Sequence, residues 1–140
     1  MRVTARGHRA VPHTADVRIE AWAPSRDACL AEAVSALVAS FADTSAARPD
    51  RVVTTSVRAE TDPDLLVAVL DEAIYVLETR DGLPCAVELA PEPGGLTVRW
   101  HLAPVREVEL VGAVPKAVTL HELRFERTDG GWECGVTIDV

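Results

Sequence analysis

The stretch "DVRIEAWA" alternates strictly. Val17, Ile19 and Ala21 fall on one side, and Asp16, Arg18, Glu20 and Trp22 on the other, the two-residue period of a strand with one buried face. The preceding "HRAVPHT" predicts a short strand broken at Pro12. From Ser25 the period lengthens. Leu30, Ala33, Val34, Leu37, Val38 and Phe41 recur at steps of three and four residues, which predicts an amphipathic helix with Ser25 as its N-cap. "RVVTTSVRAE" is rich in β-branched residues and predicts a strand. Asp62 followed by Pro63 reads as the cap and first-turn pair of a second helix. That helix runs through Leu66, Val69, Leu70, Ala73, Ile74 and Leu77 and ends near Asp81-Gly82. "CAVELA", "LTVRWHLA", "KAVTLHELRFER" and "WECGVTIDV" read as further strands, with turns at Pro93-Gly94-Gly95 and Asp129-Gly130-Gly131. No β-α-β rhythm repeats. The pattern is that of an α+β fold, two amphipathic helices packed on a mostly antiparallel sheet. With no internal repeat or linker, residues 1–140 are expected to form one domain.

Charge narrows the function classes. Lys and Arg total 14 against 22 Asp and Glu, a formal charge of −8, which argues against a basic surface for tracking phosphate backbones and so against direct nucleic-acid binding. Cys29, Cys85 and Cys134 are odd in number and form no C-x-x-C pair, so neither a disulfide framework nor a thiolate zinc site is suggested. No apolar run reaches the length of a membrane span, and "MRVTARGHRA" lacks the apolar core of a secretory signal. The expectation is a cytoplasmic protein with no membrane association.

Two short stretches carry candidate chemistry. "PHTAD" at 12–16 sets His13, Thr14 and Asp16 at the entrance to a strand, where short polar side chains also commonly serve their own turn. "GVTIDV" closes with Asp139 beside the α-carboxylate of Val140. If the first and last strands are neighbours, Asp16, Asp139 and the Val140 carboxylate converge as hard oxygen ligands for Ca²⁺, Mg²⁺ or Mn²⁺. Lys116 and His121, in "PKAVTLHEL", are five residues apart and point to opposite faces of a regular strand unless a bulge intervenes. His8 and His101 read as isolated edge residues. No phosphate-binding glycine loop or Ser-His-Asp order stands out.

"HTADVRIEAWAPSRDACLAEAV", "DLLVAVLDEAIYVLE", "KAVTLHEL" and "GWECGVTIDV", in this order, resemble the archease family. Its pattern runs from HTAD through two helices to K-A-[VI]-T and a terminal I-D-[IV]. The resemblance implies an α+β fold and a protein that is not itself a catalyst. It would instead be a metal-binding cofactor of the GTP-dependent RNA-splicing ligase that joins tRNA halves, promoting the ligase's guanylylation and multiple turnover. RNA would then be met only through the ligase. The family's metal ligands carry over onto Asp16, Asp139 and the carboxylate of Val140, and its functional lysine onto Lys116. His13 and His121 are supporting candidates. Two departures stand out. The segment "LAPVREVELVGAVPKA" lacks the family's Gly-Glu pair and its histidine with Gly-Thr-Glu, and Leu120 replaces the usual aromatic. Two other classes share these residues: a metal-dependent hydrolase using the same carboxylates, and a small chaperone or interaction module without metal.

Overall fold

A computed structural model describes residues 5–12 and 16–140. The first two predicted strands form as β1 (Gly7–Pro12) and β2 (Asp16–Ala23), paired antiparallel. Helix α1 (Arg26–Ala39) starts where Ser25 was expected to cap it, and the Ser25 hydroxyl accepts the Ala28 amide at 3.2 Å. A two-residue strand β3 (Ala42–Asp43) and the strand β4 (Arg51–Arg58) lead to helix α2 (Asp62–Thr79). Here the cap is Thr61 rather than Asp62. Thr61 has the extended backbone that a cap requires and accepts the Asp64 amide at 3.2 Å, so Asp62 becomes the first helical residue and faces Arg26 at 3.1 Å. β5 (Leu83–Glu92), β6 (Gly95–Ala103), the short β7 (Glu109–Leu110), β8 (Ala117–Thr128) and β9 (Gly131–Asp139) complete the chain.

The strands divide into more than the single sheet expected. One sheet has the order β1-β2-β9-β8, a second β4-β6-β5, and β3 pairs with β7 in a small ribbon; every pairing is antiparallel. Both helices touch both larger sheets. Their apolar stripes, Leu30, Ala33, Val34 and Leu37 on α1 and Leu66, Val69, Leu70 and Ala73 on α2, share one core with Ile19, Val136 and Ile138 of the first sheet and Val98, Trp100 and Leu102 of the second. Burial of these faces, not intrinsic propensity, is the main source of the helices' stability. The sharpest backbone fit is at the β5–β6 turn. Gly94 takes φ +78°, and a Cβ on Gly95 would come within 1.9 Å of the Val57 carbonyl, so only glycine lets β6 close against β4. No helix among the described residues is long and apolar enough to cross a membrane.

The cysteines follow their burial. Cys29 on α1 donates to the Ala21 carbonyl at 3.6 Å, and Ala21 lies across from Cys134 in the β2–β9 ladder. A hydrogen bond with Cys134, followed by burial, pushes the Cys29 thiol far above its usual range. Both are fully buried, whereas Cys85 is only half-buried. A fully buried thiol is out of a reagent's reach whatever its protonation state, so a disulfide reagent at neutral pH should label native protein at Cys85 alone and all three thiols in denaturant. Rapid native labelling of Cys29 or Cys134 would contradict this packing.

Candidate functional site

Asp16 opens β2 and Asp139 closes β9, and the two are direct partners in the antiparallel ladder. Residues directly opposite in such a ladder share a face, with Cβ atoms about 4.5–5.5 Å apart, so the two carboxylates stand side by side at one end of the sheet. On the other side of β9, Asp139 pairs with Ala117 of β8, and the Lys116 amide donates to the Asp139 carbonyl at 2.8 Å. Lys116 itself is exposed. Val140 packs its side chain against the main core, which anchors the chain immediately after Asp139. His13 lies outside the described residues.

His121 lies in an irregular part of β8 beside the same end of the sheet. Thr119 pairs with Thr137 and Arg124 with Gly135, so residues 120–123 of β8 stand opposite Val136 alone. This large bulge leaves Leu120, His121 and Glu122 exposed, and Lys116 does not line the cleft it forms. Glu122 takes φ +51°, and its carboxylate lies 3.6 Å from the His121 ring. The bulge opens a cleft of about 180 Å³ lined by Asp16, Arg18, His121, Glu122 and Thr137. Sequence reasoning missed Arg18, Glu122 and Thr137. Gly135 was the available signal, because a glycine within a strand marks a bulge or a close approach.

The other histidines are not isolated. His8 meets Glu32 of α1 at 2.7 Å, and Arg6 bonds the same carboxylate. Burial pushes the Glu32 carboxyl up, but these two partners outweigh it and hold it below its usual range. His101 bonds Glu88 at 2.5 Å, and that contact, with Arg99, lowers the Glu88 carboxyl. Both pairs tie surface elements together, away from the Asp16–Asp139 end.

Among the described residues, no cluster of three or more His, Cys, Asp or Glu side chains is set to hold a metal. The chemistry of the donors present still suits a hard cation. Two carboxylates share one register position, every donor is oxygen, and the chain is acidic overall.

Fold and site together define a two-helix α+β protein with an acidic end where the first long strand meets the last. Residues 8–140 match the Archease protein family (MTH1598/TM1083), and the chain belongs to that family. It is 48% identical over 137 residues to a Mycobacterium tuberculosis protein named "Probable protein archease", covering 98% of this chain and 76% of that one. It is 31% identical over 135 residues to "Protein archease" of Archaeoglobus fulgidus, covering 95% and 98%. Among solved structures, protein 1598 of Methanobacterium thermoautotrophicum superposes with a TM-score of 0.74 at 23% identity over 96% of this chain and 99% of that one. A Thermotoga maritima archease, called a possible chaperone, gives 0.67 at 23% identity over 93% and 94%. These two likenesses establish the fold.

Proposed function

We propose that this protein is a non-catalytic cofactor of a GTP-dependent RNA-splicing ligase. It would bind a divalent cation at the Asp16–Asp139 end and promote guanylylation and repeated turnover of the ligase. The observation that carries the reading is the direct pairing of Asp16 with Asp139, two residues that sequence alone leaves at opposite ends of the chain. Asp16, Asp139 and the Val140 carboxylate would hold the ion. Lys116, tethered by its amide to the Asp139 backbone, keeps its side chain exposed for the partner. When bound, Ca²⁺, Mg²⁺ or Mn²⁺ would supply positive charge to an otherwise anionic surface. The acidic surface suits a partner that itself carries the basic RNA-binding groove.

The test is RNA ligation by the cognate ligase, with and without this protein, comparing N-terminal and C-terminal affinity tags. A C-terminal tag converts the Val140 carboxylate into a neutral amide while leaving Asp139 in place. Loss of one ligating anion is expected to weaken metal binding by at least the roughly 10- to 100-fold seen when supporting groups around a metal are removed, and to reduce stimulation accordingly. Tag removal should restore both. Equal performance of the two tagged forms would remove Val140 from the ligand set. No stimulation by any form would reject the cofactor function in favour of a metal-independent interaction module, a reading for which the exposed Leu110, Val111, Val114 and Leu120 provide apolar surface. Phosphoester turnover by the isolated protein would instead support a metal-dependent hydrolase.

A further inference from the structure

The bulge in β8 has an unusual means of support. Leu123 packs one side of it against the core, but Leu120 is 71% exposed and Glu122 sits in the left-handed region that non-glycine residues occupy only at a cost. What reaches it from below is Arg18. Arg18 lies across from Thr137 in the β2–β9 ladder. Its Nη1 donates to Thr137 Oγ1 at 3.1 Å and extends to the His121 carbonyl at 3.5 Å. The guanidinium lies over Gly135, where a Cβ would come within 2.3 Å of Nη2 and 3.1 Å of Cζ. Glycine at 135 is therefore a seat cut for the arginine. Thr137, beneath the bulge, is only 5% exposed, and Arg18 supplies the hydrogen bond that such a buried hydroxyl needs.

From this arrangement we infer that Arg18 is a positioning residue. Seated over Gly135, it fastens the bulge to β9 so that His121 and Glu122 stand over the cleft beside Asp16 as a preformed polar surface for the partner protein. The inference rests on the cofactor function proposed above for its consequence, but not for its geometry. A charged donor shared between a side chain on β9 and a main-chain carbonyl on the bulge is suited to this. One nitrogen, Nη1, serves both acceptors, and its two hydrogens lie in fixed directions in the guanidinium plane, whereas a lysine ammonium in the same place is a freely rotating point of charge. Orienting the partner's contacts before the encounter lowers the ordering cost of association.

The experiment uses the full chain and three variants. Arg18→Ala removes the fastening. Gly135→Ala keeps every charge but displaces the guanidinium. Arg18→Lys keeps the charge and loses the fixed planar donor. Hydrogen–deuterium exchange is read over residues 120–123, alongside metal affinity and the concentration giving half-maximal ligase stimulation. Arg18→Ala and Gly135→Ala are both expected to speed exchange across 120–123 about tenfold, the scale of one lost charge-assisted hydrogen bond. Both should raise the half-maximal concentration by a similar factor without weakening metal binding, since Arg18→Ala removes a cation from the cleft it shares with Asp16 and Gly135→Ala keeps every charge, while Arg18→Lys should recover part of each loss. Should Arg18→Ala unfold the whole chain, Thr137→Val, which deletes only the acceptor, takes its place. Unchanged exchange at 120–123 in both Arg18→Ala and Gly135→Ala would overturn the inference. If the wild-type protein does not stimulate the ligase, the cofactor function fails, and the exchange data still decide whether Arg18 holds the bulge.

Discussion

Replacing Asp139 with alanine is expected to abolish the thermal stabilisation by Mg²⁺, Mn²⁺ or Ca²⁺ that the proposed site predicts for the wild-type protein, and most of the proposed ligase stimulation with it. An ion that binds only the folded state adds about 2.7 kcal/mol at a hundredfold excess over its dissociation constant. The variant loses that increment and little else. Asp139 is exposed at the last position of β9, and surface substitutions typically change stability by under about 0.5 kcal/mol. Removing Asp139 takes away one carboxylate of the facing pair. Asp16→Ala, made from the other side of the same ladder rung, should give the same result. Melting temperatures with and without each ion, and with chelator, measure the effect. Wild-type metal shifts in both variants would remove these two residues from the proposed site.

The largest purely structural loss is expected at Trp100. Its side chain is fully buried in the middle of β6, and its indole N–H donates to Thr55 Oγ1 at 2.8 Å, so apolar bulk and polar tip are both used. Trp100→Ala should destabilise by about 3–5 kcal/mol, the range for emptying a large aromatic site. In urea this would appear as a lower midpoint at unchanged slope. Trp100→Phe fills most of the space but leaves the Thr55 hydroxyl without its donor, so it should fall between the two. An alanine variant with a wild-type midpoint would mean that Trp100 does not anchor the core.

Much of this architecture is written in local patterns. Ser25 capped the first helix as its spacing required, the apolar stripes of both helices turned inward, and "DVRIEAWA" kept Ile19 and Ala21 on the core side. The division into two sheets was not legible, because alternation tells a strand which face is buried but not which neighbour it pairs with. The candidate site was legible as two separate motifs. What joins Asp16 to Asp139 is a pairing between distant segments, and the collinear resemblance, not any periodicity, made it expected. The bulge left a trace that strand-by-strand reading passes over. Val118 and Phe125 both pair with inward-facing residues of β9, Ile138 and Cys134. Their separation along β8 is odd, so regular alternation cannot bring both to the same face. A phase conflict of this kind, together with Gly135 on the neighbouring strand, was the sign that β8 must slip and that something would occupy the space.

The place of β9 in its sheet bears on how the protein is made. β9 is last among the strands in chain order, yet it lies between β2 and β8 and contributes Val136 and Ile138 to the core. During synthesis, the β1–β2 hairpin and both helices therefore leave the ribosome before the strand that covers Ile19 exists. Domains ordinarily fold as units while elongation proceeds, but this sheet cannot close until Asp139 has cleared the exit tunnel. From the emergence of the β1–β2 hairpin until that of β9, the nascent chain carries an unpaired β2 edge that is open to misassociation.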